Sequence, residues 1–151
     1  MAKRKVPGLG KSKGMQTDFP TFPAGNYTML IEEYSEKESS KGTSTIHTFR
    51  MRCIDVLDDK PENKEMIDKI YFHRMIEMHD DHPSYAQYSY IFVDELKSLV
   101  DAAGVEIKAD ALDFESFVDC EVVATLKLRD GKDEEGNPKP ENVVRKWKAV
   151  E

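Results

Sequence analysis

The sequence predicts a mainly β domain with five strands and one helix, which connects the third strand to the fourth. Polar and apolar residues alternate on both sides of the turn Ser40-Lys41-Gly42, and a helical repeat of apolar residues ends at Gly104. A two-strand hairpin that contains Trp147 follows. The order β-β-β-α-β-β is that of the five-stranded OB-like Greek-key barrel, a fold that commonly binds oligonucleotides or oligosaccharides.

The first three strands are predicted from this alternation. In the second strand, Phe49, Met51 and Cys53 point to one side and Arg50 and Arg52 to the other, as expected for a strand with one face in a core. Proline-rich residues 19–25 are expected to place two aromatic rings on the barrel end before the first strand. The predicted strands cover residues 26–36, 44–57 and 66–73.

The helix and the hairpin complete the predicted domain. Apolar residues spaced three and four apart indicate a helix over residues 83–104, either continuous or broken near Asp94. Phe114 and Phe117 are expected to plug the barrel before a fourth strand at 119–129. The fifth strand is predicted at 142–150, and the long polar connection over residues 130–140 is expected to be a mobile finger at the sheet edge.

The distribution of charge predicts a basic arm before the domain. Five of the 22 Lys and Arg residues lie within residues 1–14, which leaves 17 against all 29 Asp and Glu residues, a balance of −12. Residues 1–18 are predicted to be a flexible arm because they cannot bury enough apolar surface to become ordered, and residues 19–151 form one domain. Lys3, Arg4 and Lys5 of the arm either contact phosphates or only increase solubility.

The sequence predicts a cytoplasmic protein with no membrane partner. No apolar run approaches the roughly 18 residues that span a bilayer. The basic start of the chain is not followed by the apolar stretch of a secretory signal. Cys53 and Cys120 lie among apolar residues of predicted strands, which favours reduced thiols over a disulfide.

Several short motifs resemble a family of small tailed-phage proteins. The family is encoded among replication and recombination genes and is thought to contain OB-fold single-stranded-DNA-binding proteins. The resemblance covers roughly residues 20–150 and implies DNA binding in replication or recombination, in the cytoplasm of an infected bacterial host. The motifs are Phe22-Pro23-Ala24-Gly25-Asn26-Tyr27, the Lys-x-Ser-x-Lys-Gly turn at 37–42, the alternating strand ending in Asp55, the helical segment 96–104, and Asn142-Val143-Val144 with Trp147.

This chain departs from the family and from other single-strand binders at two places. The family usually has a glycine before the fourth strand, where this chain has Asp119. Many phage and bacterial single-strand binders end in an acidic tail, whereas this chain ends at residues 148–151 with Lys-Ala-Val-Glu. The acidic loop Asp133-Glu134-Glu135 is therefore the alternative candidate for contacts with phage replication or recombination proteins.

The candidate DNA-binding residues are cations and aromatic rings on the predicted strands. Binding single strands without sequence preference requires cations along a groove and aromatic faces on which bases stack. Either Arg145 and Trp147 or Lys146 and Lys148 face the ligand, because neighbouring residues of a strand point to opposite faces. The candidates are Arg50, Arg52, Lys69, Tyr71, His73, Lys127, Arg129, Arg145 and Trp147, with Lys3, Arg4 and Lys5 of the arm.

Each of the strongest candidates also has a structural alternative. Arg50 and Arg52 are equally well explained by pairing with an acid such as Glu32 on a solvated sheet face. Trp147 is more often a residue that closes a core than a stacking platform.

The sequence contains no motif for catalysis or for a cofactor, so we expect no enzyme. The side chains of His73 and of residues 79–82 are of metal-ligating types, but their spacing matches no ligand motif, and no metal is predicted. The competing function is that of an OB-fold protein-interaction or structural phage protein whose acidic surface meets a basic partner. The exposed edges of a partly open barrel also favour a homodimer.

Overall fold

Five antiparallel strands form one sheet in the computed structural model, which describes residues 3–7, 9–11 and 20–151. The strands are β1 (Gly25–Glu38), β2 (Ser44–Val56), β3 (Ile70–Met78), β4 (Glu121–Arg129) and β5 (Glu141–Ala149). Their order across the sheet is β3-β2-β1-β4-β5. The mainly β fold with five strands is therefore confirmed.

The sheet is not closed into a barrel. Strands β3 and β5 are its two edges, and within residues 20–151 no ladder of backbone hydrogen bonds joins them. The helix α2 (Tyr85–Ala103), which follows the short helix α1 (Pro61–Lys64), contacts β3, β4 and β5. The rings of His73 on β3 and Trp147 on β5 lie 5.0 Å apart. The two edges thus approach each other through side chains, beside the helix.

The predicted inward face of the second strand is confirmed, and the first strand also buries one face. Met29 and Ile31 of β1 and Phe49, Met51 and Cys53 of β2 are fully buried. Alternation places every second side chain on one face, so burying these residues fixes the others on the outside. The outer face of β2 consequently presents its arginines.

Helix α2 is continuous, so the alternative with a break near Asp94 is wrong. It ends where predicted, because Gly104 adopts a left-handed conformation (φ 73°) and its N–H donates to the carbonyl of Val100 at 2.9 Å. Phe92 and Leu99 are buried in the core. Tyr88, one turn before Phe92, is exposed.

The third strand begins and ends later than predicted. Residues 66–69, expected in the strand, form the end of a turn after α1, where Asp68 is left-handed (φ 71°) and its N–H donates to the carbonyl of Cys53. Regular pairing with β2 starts only at Ile70 and continues to Met78. Arg74 therefore becomes part of the sheet.

Parts of the predicted arm and of the segment before β1 are described. Residues 9–11 form a single turn of 3-10 helix, and Lys3, Arg4 and Lys5 are exposed. The remainder of the predicted flexible arm lies outside the described residues, as does Phe19. Phe22 is fully buried, with its ring edge-on to Tyr27 at 5.2 Å. In the described part of the chain, no helix combines the length and the apolar character needed to cross a membrane.

The connection from β4 to β5 is a hydrogen-bonded turn. The Asp133 carboxylate accepts from the backbone N–H groups of Glu135 at 3.0 Å and of Asn137 at 2.9 Å. A backbone bridge pairs Lys132 with Pro138. These contacts give the connection a defined shape beside the edge of the sheet.

Asp119 occupies the position where the resembling family usually has glycine. Its backbone is left-handed (φ 72°), and its N–H donates to the carbonyl of Ile31 at 2.7 Å, just before β4 begins. A left-handed conformation costs little for glycine but strains a residue with a Cβ atom.

We therefore expect Asp119→Gly to stabilise the protein by about 0.5–1 kcal/mol, because relief of this strain exceeds the entropy gained by the unfolded chain. Urea unfolding measures the difference. Asp94→Gly, at an exposed helical position, is the control and should destabilise by about 1 kcal/mol. A loss of stability in Asp119→Gly would show that the aspartate side chain contributes more than the strain costs.

Candidate functional site

A cleft of about 1140 Å³ lies between the edge strand β3 and the connection from β4 to β5. Residues 70–74 form one wall, and residues 132–135 and 139–144 form the other. Because β3 is an edge strand, side chains from both of its faces reach this cleft. The hydrogen bonds of Asp133 define the local shape of the β4–β5 connection in the opposite wall.

Four cations and five carboxylates line the cleft. The cations are Arg74, Arg129, Lys132 and Lys139, and the acids are Glu95, Asp133, Glu134, Glu135 and Glu141. Four of the acids are engaged: Glu141 with Arg129, Glu95 with His73, Asp133 with the turn, and Glu135 with the side-chain amide of Asn137 at 3.5 Å. Among the described residues, no carboxylate lies within ion-pair distance of Arg74, Lys132 or Lys139. These three cations are therefore available to an anionic ligand.

A hydrogen-bonded chain of three side chains lies in the wall of the cleft. The hydroxyl of Tyr71 and Nδ1 of His73 are 2.9 Å apart, and Nε2 of His73 contacts Oε1 of Glu95 on α2. Burial, and then the carboxylate of Glu95, raise the pKa of Tyr71 above its usual value, against a smaller opposite effect of Arg129. The phenol therefore stays neutral, and His73, which contacts both Tyr71 and Glu95, links β3 to the helix.

The pairing of β2 with β3 separates the predicted residues between the two faces of the sheet. Arg50 lies opposite Phe72, and Met51 lies opposite Tyr71. Cross-strand partners point to the same face, so Tyr71 shares the inner face with the buried Met51. The structure therefore does not bring Arg50 and Tyr71 to one face. Arg74, two residues beyond Phe72, shares the outer face with Arg50.

Both arginines of β2 form ion pairs with Glu32 of β1. Nε of Arg52 lies 2.9 Å from Oε2 of Glu32, and Nε of Arg50 lies 3.5 Å from Oε1. This is the structural alternative that the sequence left open. Both side chains are still about one-third exposed, at 38% and 32%. Nη1 of Arg50 also lies 4.0 Å from Oε1 of Glu33, so two carboxylates balance the two guanidinium groups of this cluster.

The terminal hairpin resolves the choice between the two pairs on the fifth strand. Trp147 lies opposite Ala124 and is only 7% exposed, so its ring belongs to the core. Lys146 and Lys148 consequently point to the outer face. The amine of Lys148 is the main cause of the lowered pKa of Lys146, so the two amines are neighbours.

The predicted candidates within the domain therefore occupy five places. Tyr71, His73 and Arg129 line the cleft, and Arg50 and Arg52 lie on the outer face of β2. Lys69 is exposed just before β3, and Lys127 and Arg145 are exposed on the hairpin. Trp147 lies in the core.

Sequence reasoning missed Arg74, Lys132 and Lys139. Arg74 was missed because the predicted third strand stopped at His73, although alternation continues to Met78. The two lysines lie in a connection whose turn depends on contacts of Asp133 that no periodicity reveals.

No protein-family model and no curated protein matches the chain. The resemblance to small tailed-phage proteins therefore stays a prediction from short motifs.

Proposed function

We propose that the protein binds single-stranded DNA without sequence preference, along the outer face of β2 and β3 and into the cleft beside β3. The observation that supports this most is the cleft. Its side chains Arg74, Lys132 and Lys139 lie outside ion-pair distance of every carboxylate in the described residues. Cations that follow a groove are what binding to a phosphate backbone requires.

We further propose that the sheet is an OB-like barrel that is open between β3 and β5. In OB folds, the face of strands 2 and 3 and the loops between strands 1 and 2 and strands 4 and 5 bind oligonucleotides. The cleft lies between β3 and the β4–β5 connection, which is the corresponding position. Strand order β3-β2-β1-β4-β5 is consistent with such an opened barrel.

The charge of the protein makes binding depend on a local site. The formal net charge is −7, so the surface as a whole repels a polyanion. Arg74 belongs both to the outer face and to the lining of the cleft. The cations of the outer face, Arg50 and Arg52, therefore continue through Arg74 to Lys132 and Lys139 in the cleft. Binding through these cations releases counterions and is therefore sensitive to salt. Exposed Lys3, Arg4 and Lys5 add further cations.

The biological setting follows from the resemblance alone. We propose that the protein coats single strands during phage replication or recombination in the host cytoplasm. The acidic loop Asp133-Glu134-Glu135, which forms part of the cleft wall, is the candidate contact for replication or recombination proteins.

The direct test is a fluorescence-anisotropy titration of a labelled single strand of about 30 nucleotides, longer than the ~4–16 nucleotides that one OB fold covers. We expect binding that weakens as salt is raised and that a duplex of the same sequence does not compete away. Absence of binding at low salt, or equal competition by the duplex, would contradict the proposal.

A further inference from the structure

A second, smaller pocket of about 290 Å³ lies at the end of the sheet where the chain turns from β1 into β2. Its apolar lining is Ile46, Ile76 and Met78, and its polar lining is His82 with residues 39–41, 43 and 44 of the turn. We call it the Ile76 pocket. Its volume is close to the lower end of the ~300–1,000 Å³ of small-molecule sites, so it suits one small group.

The Ile76 pocket continues the cleft along the outer face of β3. Arg74 lies opposite Thr48, and Ile76 lies opposite Ile46, so both side chains point to that face. Arg74 lines the cleft, whereas Ile76 lines the pocket. Residues two apart in a strand are separated by about 7 Å, so the two sites adjoin each other.

The apolar side of the pocket is not part of the core. Ile76 is 56% exposed, whereas its neighbour Met75, which points inward, is 2% exposed. A single exposed isoleucine needs no explanation, but this one is paired with Ile46 across the strands and forms the wall of a pocket. The pair therefore offers apolar surface to a ligand that enters from the outer face.

The described residues that line the pocket include no acid, although Asp and Glu make up 29 of the 151 residues of the chain. The acids nearest to it along the chain are directed elsewhere. Glu38 accepts a hydrogen bond from Thr45, and Glu77 contacts His47, both of which are buried on the inner face. The pocket therefore does not repel an anionic ligand.

Two lysines lie beside this apolar surface. Lys41 lines the pocket, and Lys37 lies opposite Ile46 on the same outer face. Within residues 20–151, no carboxylate lies within ion-pair distance of either lysine. Apolar surface flanked by unneutralised cations matches the chemistry of a nucleotide, in which an apolar base face is joined to a phosphate.

We propose that the Ile76 pocket holds one base of the bound single strand, with neighbouring phosphates on Arg74 and Lys41. This inference rests on the proposed function and extends the path of the strand from the cleft to the turn between β1 and β2. Every base has an apolar face, so contact with that face keeps the binding independent of sequence.

The variant Ile46→Thr with Ile76→Thr tests the pocket, because threonine keeps the β-branched shape that suits a strand but removes apolar surface. We expect affinity for the labelled strand of about 30 nucleotides to fall at least about fivefold. The slope of log K against log salt should not change, since no cation is lost. A strand of equal length made of abasic sites, which has phosphates but no bases, should bind the variant and the wild type equally.

The matched control is Ile67→Thr with Leu128→Thr. These side chains are 42% and 47% exposed, and neither lines the cleft or the pocket, so the control should bind like the wild type. Three results would overturn the inference: the test variant binds the strand as well as the wild type does, both variants lose affinity equally, or the abasic strand loses as much affinity as the normal strand.

Ile76→Thr alone, at an exposed position of an edge strand, is the second variant if the double substitution fails to fold by circular dichroism. The two proposals fail in different ways. If the wild-type protein binds no single strand, the proposed function is wrong and this inference falls with it. If the wild type binds and the folded test variant binds equally well, only the assignment of the Ile76 pocket is wrong.

Discussion

Replacing Arg74 and Lys139 together by glutamate is expected to weaken binding of a single strand at least about tenfold, or about 1.4 kcal/mol. Both side chains line the cleft. In the part of the chain that the structure describes, no carboxylate lies within ion-pair distance of either one. The substitution removes two phosphate contacts and adds two repulsive charges. The slope of log K against log salt should also fall by about 1.4, since each contact to a single strand contributes about 0.7.

The matched control is Lys60→Glu with Lys108→Glu, since neither lysine forms an ion pair among the described residues. These lysines are exposed and do not line the cleft, and their reversal changes the net charge by the same amount. We expect the control to lower affinity only slightly, through the overall field. Equal losses in the two variants would show that bulk charge, and not the cleft, determines binding.

Reversal of Arg50 and Arg52 is a less specific test. Both residues pair with Glu32, and Arg50 also pairs with Glu33, so two new glutamates would place four carboxylates together on one patch of the sheet. Like charges directly opposite each other on neighbouring strands destabilise a sheet. A lower affinity of that variant would therefore combine lost contacts with lost stability.

Trp147→Ala is expected to reduce the free energy of unfolding by about 3–5 kcal/mol. The indole is buried opposite Ala124 and edge-on to His73, in the region where no backbone ladder joins β3 to β5. Its removal leaves a cavity at this junction. Such a loss is a large fraction of the ~5–15 kcal/mol by which domains of this size are stable.

Urea unfolding followed by far-ultraviolet circular dichroism measures this loss, because the variant lacks the only tryptophan. Within the described residues the indole Nε1–H has no hydrogen-bond partner. Trp147→Phe should therefore cost much less than the alanine substitution, since it removes an unpaired polar group and keeps an aromatic ring. Arg145→Ala, exposed on the same strand, should change stability by less than about 0.5 kcal/mol. A loss below about 1 kcal/mol in Trp147→Ala would place the ring outside the core.

The periodicity of apolar residues was the feature of the sequence that predicted structure most directly. Alternation in the second strand identified Phe49, Met51 and Cys53 as buried, because burial of one face leaves a pattern with period two. The helix end at Gly104 was equally predictable, since a left-handed cap favours glycine. The start of the third strand could not be predicted in this way. The turn at Asp68 depends on a hydrogen bond to Cys53, which is a residue of another strand.

The candidate site was predicted only in part for the same reason. The sequence by itself determined the fold class, the inward face of β2 and the outward position of its arginines. Only the tertiary structure decided that Arg50 faces Glu32, that Tyr71 turns inward with His73, and that β3 and the β4–β5 connection form a cleft. Register and long-range pairing join residues that are far apart in the chain, and local periodicity carries no information about such contacts.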